Sequence, residues 1–156
     1  MKKFLLFSLL LLSLSANAKV RYVMKLASGK TVYKDSVVTI RPHIGGAVEY
    51  LTVTIMNKTE KRVVVQWDGV RLGGSQIAFI SDDIFQINNP KADEMLMGNG
   101  GTTKTLQKRY RTAIPLVDKK KLKKGGRQTI YLSIPLLVDG KEHDIDTEWI
   151  VEAVRE

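Results

Sequence analysis

Five lysines occupy six consecutive positions at Lys119-Lys120-Lys121-Leu122-Lys123-Lys124. The wider run from Lys104 to Arg127 carries ten basic side chains against one acid, Asp118. Ammonium groups at that density attract phosphates, anionic lipid head groups or acidic polysaccharides, through an attraction that weakens as salt rises. Lys108, Arg109, Arg111, Lys119, Lys120, Lys121, Lys123, Lys124 and Arg127 are therefore the candidate anion- or partner-binding residues. The competing expectation is a solvated loop whose lysines keep a sheet edge from pairing. Nucleic acid is the less favoured anion, because only Tyr110 interleaves with these cations for base stacking.

Other constellations offer less chemistry. His143, Asp144 and Asp146 place a possible metal set after the Asp139-Gly140 turn, but on a strand Asp144 and Asp146 share one face while His143 points to the other. Two oxygen-bearing side chains are too few, so no metal is expected. His43, in Arg41-Pro42-His43-Ile44-Gly45-Gly46, has no Gly-x-Ser-x-Gly elbow to serve, and Gly73-Gly74-Ser75 reads as a turn. Asp82, Asp83, Asp93 and Glu94 are the carboxylates for a hydrolase alternative, with Asp93-Glu94 more simply the first-turn charge of a short helix. The chain has no cysteine, which removes thiol catalysis, thiolate metal sites and disulfides. No catalytic residue and no cofactor is expected. Met95, Leu96 and Met97 form an apolar tip in a polar stretch and are the candidate partner-contact loop, since methionine suits adaptable contacts.

The location of the charge sharpens this. Met1 to Ala18 reads MKKFLLFSLLLLSLSANA, with a basic start, an apolar run and an Ala-Asn-Ala ending, the pattern of a cleavable signal peptide. Its removal would take the 156-residue, +9 chain to residues 19–156, where 23 basic face 16 acidic residues, a charge of +7. The 104–127 run alone is +9, and from Asp139 to Glu156 seven acids face two bases. The expectation is an exported bacterial protein, periplasmic or secreted, with no lipid anchor because no cysteine follows the signal. No later stretch is apolar enough to be a transmembrane segment.

The elements that must carry these residues alternate with period two, which predicts strands. Val20 to Leu26 is the first. A second runs from about Ser36 to Ile40, stopping before Arg41-Pro42 because proline cannot donate to a ladder. In Glu49 to Met56, Leu51, Val53 and Ile55 share a face. Asn57 to Glu60 reads as a hairpin turn, and Val63, Val65 and Trp67 share a face of the return strand. Ile130, Leu132, Ile134 and Leu136 line another strand, with a bulge or edge position at Pro135. After Asp139-Gly140, Ile145, Thr147, Trp149, Val151 and Ala153 face inward. Trp67 and Trp149 are expected in the core. A single long loop is expected at about residues 81–109, with Gly98 to Gly101 mobile. At most one short helix is expected, in the 90–97 region.

The run Leu51 to Thr59, closing on Asn57-Lys58-Thr59, and the following Val63-Val64-Val65-Gln66-Trp67-Asp68 resemble a pattern of bacterial secreted and lipoprotein β-sandwich domains. Ile134-Pro135-Leu136 before the Val138-Asp139-Gly140-Lys141 hairpin resembles it too. The resemblance implies a single all-β, immunoglobulin-like antiparallel sandwich of about seven to eight strands, and it carries over no catalytic residue. The expected function is a non-enzymatic binding or accessory domain of the cell envelope. Its partner would be an unknown protein or an anionic envelope polymer, whether lipid head group or glycan, met by the basic segment together with the 79–105 stretch. The alternative is a subunit of a surface structure that adds strand edges to a partner.

Overall fold

The structure, a computed structural model, describes residues 19–80, 87–88, 92–109 and 114–156. Among these, fourteen strands and one α-helix follow along the chain. The first half holds β1 (Val20–Lys25), β2 (Tyr33–Lys34), β3 (Val38–Ile44), β4 (Leu51–Asn57), β5 (Val63–Val65), a 3-10 turn at Trp67–Gly69, β6 (Arg71–Leu72) and β7 (Ser75–Ile80). The second holds β8 (Ile87–Asn88), β9 (Glu94–Leu96), β10 (Gly101–Lys108), α1 (Lys119–Lys123), β11 (Gln128–Ile134), β12 (Leu136–Val138), β13 (Lys141–Glu142) and β14 (Ile145–Arg155).

The strands form two antiparallel sheets. The wide one runs β1-β14-β11-β6-β7-β10-β4-β3-β2, with β8 added beside β7; the small one runs β13-β12-β5-β9. The wide sheet curls into a half-barrel that brings β1 to Cα separations under 8 Å from β3 without a ladder between them. The reason the seam stays open is visible in β3. The Asp35 N–H donates to the Val38 carbonyl, so the even-numbered residues of β3 turn their backbone groups toward β2 and the seam. Pro42 is one of them and has no N–H to give. Because β2 pairs only with Thr39 and Ile40, Pro42 sits at an edge left free among the described residues, and the strand runs on to Ile44, beyond the stop expected at Arg41-Pro42.

The inward sets read from alternation form one core. Leu51, Val53 and Ile55 of β4, Val63 and Val65 of β5, and both tryptophans are at most 1% exposed. Ile130, Leu132, Ile134, Leu136, Ile145 and Val151 join them. Thr147 is tolerated there because its hydroxyl donates to the Leu132 carbonyl and accepts from Trp149 Nε1.

Antiparallel all-β architecture with one short helix is what the pattern predicted, but shape and count differ. A half-barrel closed by a small sheet replaces the seven-to-eight-strand sandwich outline, because the chain switches sheets in mid-pattern. Asn57 to Arg62 carries the chain from the wide sheet to the small one, so it is a crossing and not a hairpin. Asn57 is buried, its Nδ2 donating to the carbonyls of Lys61, Leu96 and Met97 while Oδ1 accepts from Thr59. Pro135 marks the second switch, where β11 ends and β12 begins in the other sheet.

The single long loop expected at 81–109 contains β8, β9 and β10 instead. β10 hides from pattern reading because only Leu106 is apolar among Thr102 to Lys108, yet it joins β7 to β4 at the middle of the half-barrel. Gly98 to Gly101, expected to be mobile, form a turn pressed on its neighbours; a Cβ at Gly98 would lie 3.0 Å from the Glu60 Cα. The helix expected at 90–97 is absent from the described part of that region, where Glu94–Leu96 is a strand. The helix that does form lies in the lysine run.

Candidate functional site

The local sequence of the lysine run is a helix written between two stops. Asp118 caps the start of α1, its Oδ1 accepting from the Lys120 and Lys121 N–H groups at 2.8 and 3.3 Å. The end is a Schellman turn. Gly125, at φ +83°, donates to the Leu122 carbonyl and Gly126 to the Lys121 carbonyl. Leu122 is fully buried and fastens the helix to the core. The Gln128 side chain clamps the entrance, donating to the Asp118 carbonyl at 2.8 Å and accepting the Asp118 N–H at 2.9 Å. Just upstream, the Leu116 N–H donates to the carbonyl of Val48, a buried residue held at φ +56°. A positive φ is strained for a β-branched side chain, so the surrounding packing must hold it. Asp118 followed by Lys-Lys-Lys-Leu-Lys-Lys-Gly-Gly was the legible signal for this helix, masked by the charge.

Antiparallel order places the cations together at one end of the half-barrel. There β1 begins, β3 ends, β4 begins, β7 begins, and β10 and β14 end. Lys108 reaches the β6–β7 turn, where a Cβ at Gly73 would lie 3.1 Å from its Nζ. Arg109 donates from Nη1 to Gln76 Oε1 at 2.9 Å. Arg111 lies outside the described residues. Arg127 is paired at 3.4 Å with Glu152, which also takes the ammonium of Lys25. The hydrogen bond from Lys25 holds the Glu152 carboxyl below its ordinary value; slight burial opposes this, and the charges of Lys25 and Arg127 add to the lowering.

Lys119, Lys120, Lys121, Lys123 and Lys124 have no carboxylate partner among the described residues. The helix divides them. Lys119 and Lys120 overlook a hollow of about 610 Å³ whose lining includes Glu49 and Asp118. Lys123 and Lys124 overlook another of about 560 Å³, lined also by Val20, Leu122, Gly125, Ala153 and Arg155, with no acid. Arg155 was missed by reading the sequence. Its parity with Ala153 and Val151 on β14 was the signal, since it continues the inward face past the end of the core.

The Met95 to Met97 tip is elsewhere. Leu96 is buried beside Val63, while Met95 and Met97 are 52% and 62% exposed. The Leu96 and Met97 carbonyls meet Asn57 at the far end of β4 from the basic end. A seven-residue strand puts roughly 20 Å between them. The Met95 to Met97 part of the expected 79–105 surface therefore lies away from the lysines. Glu94 is not helix-start charge: its Oε2 accepts from Trp67 Nε1 at 2.8 Å and lies 3.5 Å from Lys104 Nζ. Asp82 and Asp83 lie outside the described residues. His143 is held by Asp35, and among the described residues no three His, Asp or Glu side chains gather as a metal set. No described helix is long and apolar enough to cross a membrane. A scan of the chain against protein-family models and a search of curated proteins both find no match.

Proposed function

We propose that this chain is a non-enzymatic, exported binding or accessory domain of a bacterial cell envelope that contacts an anionic partner through the basic end of its half-barrel. The observation that carries the reading is a set of five lysines without a carboxylate partner among the described residues, four on a short helix and Lys124 at its C-cap, with the helix fixed at both ends and pinned by Leu122. Long flexible lysines on a free loop would lose more conformational freedom on binding than lysines on a seated helix. Export is supported by the Met1 to Ala18 pattern. The resemblance to immunoglobulin-like domains of secreted proteins rests on the Asn57-Lys58-Thr59 and Trp67-Asp68 motifs of the sequence. The test is retention on immobilised anionic vesicles or acidic glycan. Retention falls as salt rises and is lost when the five lysines become glutamine; retention indifferent to both would overturn the reading.

A second reading is favoured by the open seam. Among the described residues β1 pairs only with β14, and its other edge faces β3 across the seam without a ladder; parting β1 from β3 would open that edge to a strand from a partner in a surface assembly. Cross-linking in cells then yields one defined protein band, where lipid or glycan binding yields none.

A further inference from the structure

We infer that the ligand of the basic end is an amphipathic phosphate, one whose anionic head meets Lys123, Lys124 and Arg155 while its apolar part lies on Val20 and Ala153. The inference rests on the anion-binding reading above and narrows it to one side of the helix. Val20, Ala153 and Arg155 continue the inward-facing parity of β1 and β14, so the hollow is the mouth of the half-barrel, where the core ends and α1 closes it. Barrel mouths lined by apolar side chains with a few convergent polar groups are favourable ligand sites.

The two hollows beside α1 differ in sign. Glu49 and Asp118 stand with Lys119 and Lys120, and a phosphate there would meet two carboxylates as well as two ammoniums. The 560 Å³ hollow presents three cations and no acid, and none of the three has a carboxylate partner among the described residues. Arg155 adds a planar fork suited to two phosphate oxygens. Charge alone would suit inorganic phosphate equally well. The apolar floor decides between them, because a bare hydrated ion gains nothing from covering Val20 and Ala153, whereas an acyl-bearing phosphate buries both.

The probes are dihexanoyl phosphatidylglycerol below its micelle concentration, glycerol phosphate and inorganic phosphate, titrated by calorimetry and amide-resonance shifts against the chain lacking residues 1–18. The lipid should bind about tenfold or more tighter than either small phosphate. K123Q/K124Q and R155Q should each weaken it about tenfold, a clearly larger loss than K119Q/K120Q, whose ammoniums act on this hollow only through the shared field of the basic end. A153L, which fills the floor without touching charge, should weaken the lipid and leave inorganic phosphate unchanged. R155Q alters an exposed strand end and keeps the test open if A153L fails to fold. Equal binding of all three probes, or equal loss from the two lysine pairs, overturns the inference while leaving general polyanion binding standing. Failure of every probe together with failure to bind anionic vesicles overturns both.

Discussion

His143 Nε2 lies 2.8 Å from Asp35 Oδ2, tying the turn before β14 to the turn before β3. The same carboxylate accepts the Val37 and Val38 N–H groups at 2.7 Å each, so one side chain fixes both the start of β3 and its link to the opposite hairpin. Burial pushes the Asp35 carboxyl up, but the N–H of Val38, the His143 ring and the N–H of Val37 outweigh it and hold the group below its ordinary value. The phenol of Tyr33 is pushed the other way, by burial and by this carboxylate.

A carboxyl lowered in the folded state stabilises the fold above its unfolded value, about 3.9, and that contribution fades as pH falls through the lower folded value. D35N should therefore lose about 1–2 kcal/mol at neutral pH and show a flatter acid limb below about pH 4. Urea melts from pH 3 to 7 read both effects. An acid limb in D35N as steep as in the parent would remove Asp35 as its source.

The inward faces of β4, β11 and β14 could be read from the sequence because each strand is long enough to alternate and buries one face only. The edges could not. Pro42 stops a central strand but not a free edge, and nothing local says that β2 is too short to cover it. β10 carries Lys104 on the face it shares with Leu106, covered through Phe79 and Glu94, so hydrophobic period two fails where the sheet needs it most. The basic residues were visible, but their division into two hollows depends on Glu49, Val20 and Arg155, residues far apart in the chain.

Gln107 tests the middle of that unreadable strand. It is 1% exposed, and its Nε2 has no hydrogen-bond partner among the described residues. A buried donor without an acceptor costs about 1–3 kcal/mol, so Q107M, similar in shape and without the donor, should leave stability unchanged or raise it by about 1 kcal/mol. Thermal denaturation measures this; a loss of about 2 kcal/mol or more would mean the amide is satisfied in solution.

Gly69 tests the switch between sheets. A Cβ at this position would lie 2.6 Å from Pro135 Cγ, and the Pro135 carbonyl accepts the Gln66 N–H just before the 3-10 turn. The two close-packed chain segments leave no room for a methyl group. G69A should cost about 1–3 kcal/mol in denaturant melts, with the loss reduced in a P135A background.

Leu122 separates charge from geometry at the basic end. It is fully buried while every lysine around it stays on the surface, so L122A removes the anchor and no charge. The cavity should cost about 2–5 kcal/mol and free α1 from its seat. If the seated helix matters, affinity for anionic vesicles falls severalfold in protein that is still folded at the assay temperature, and hydrogen exchange of the Leu122 and Gly126 amides accelerates alongside. G125A gives a milder version, straining the φ +83° position by about 1 kcal/mol with all cations kept. Vesicle binding unchanged in both variants would mean that five positive charges within six positions suffice, wherever the chain holds them.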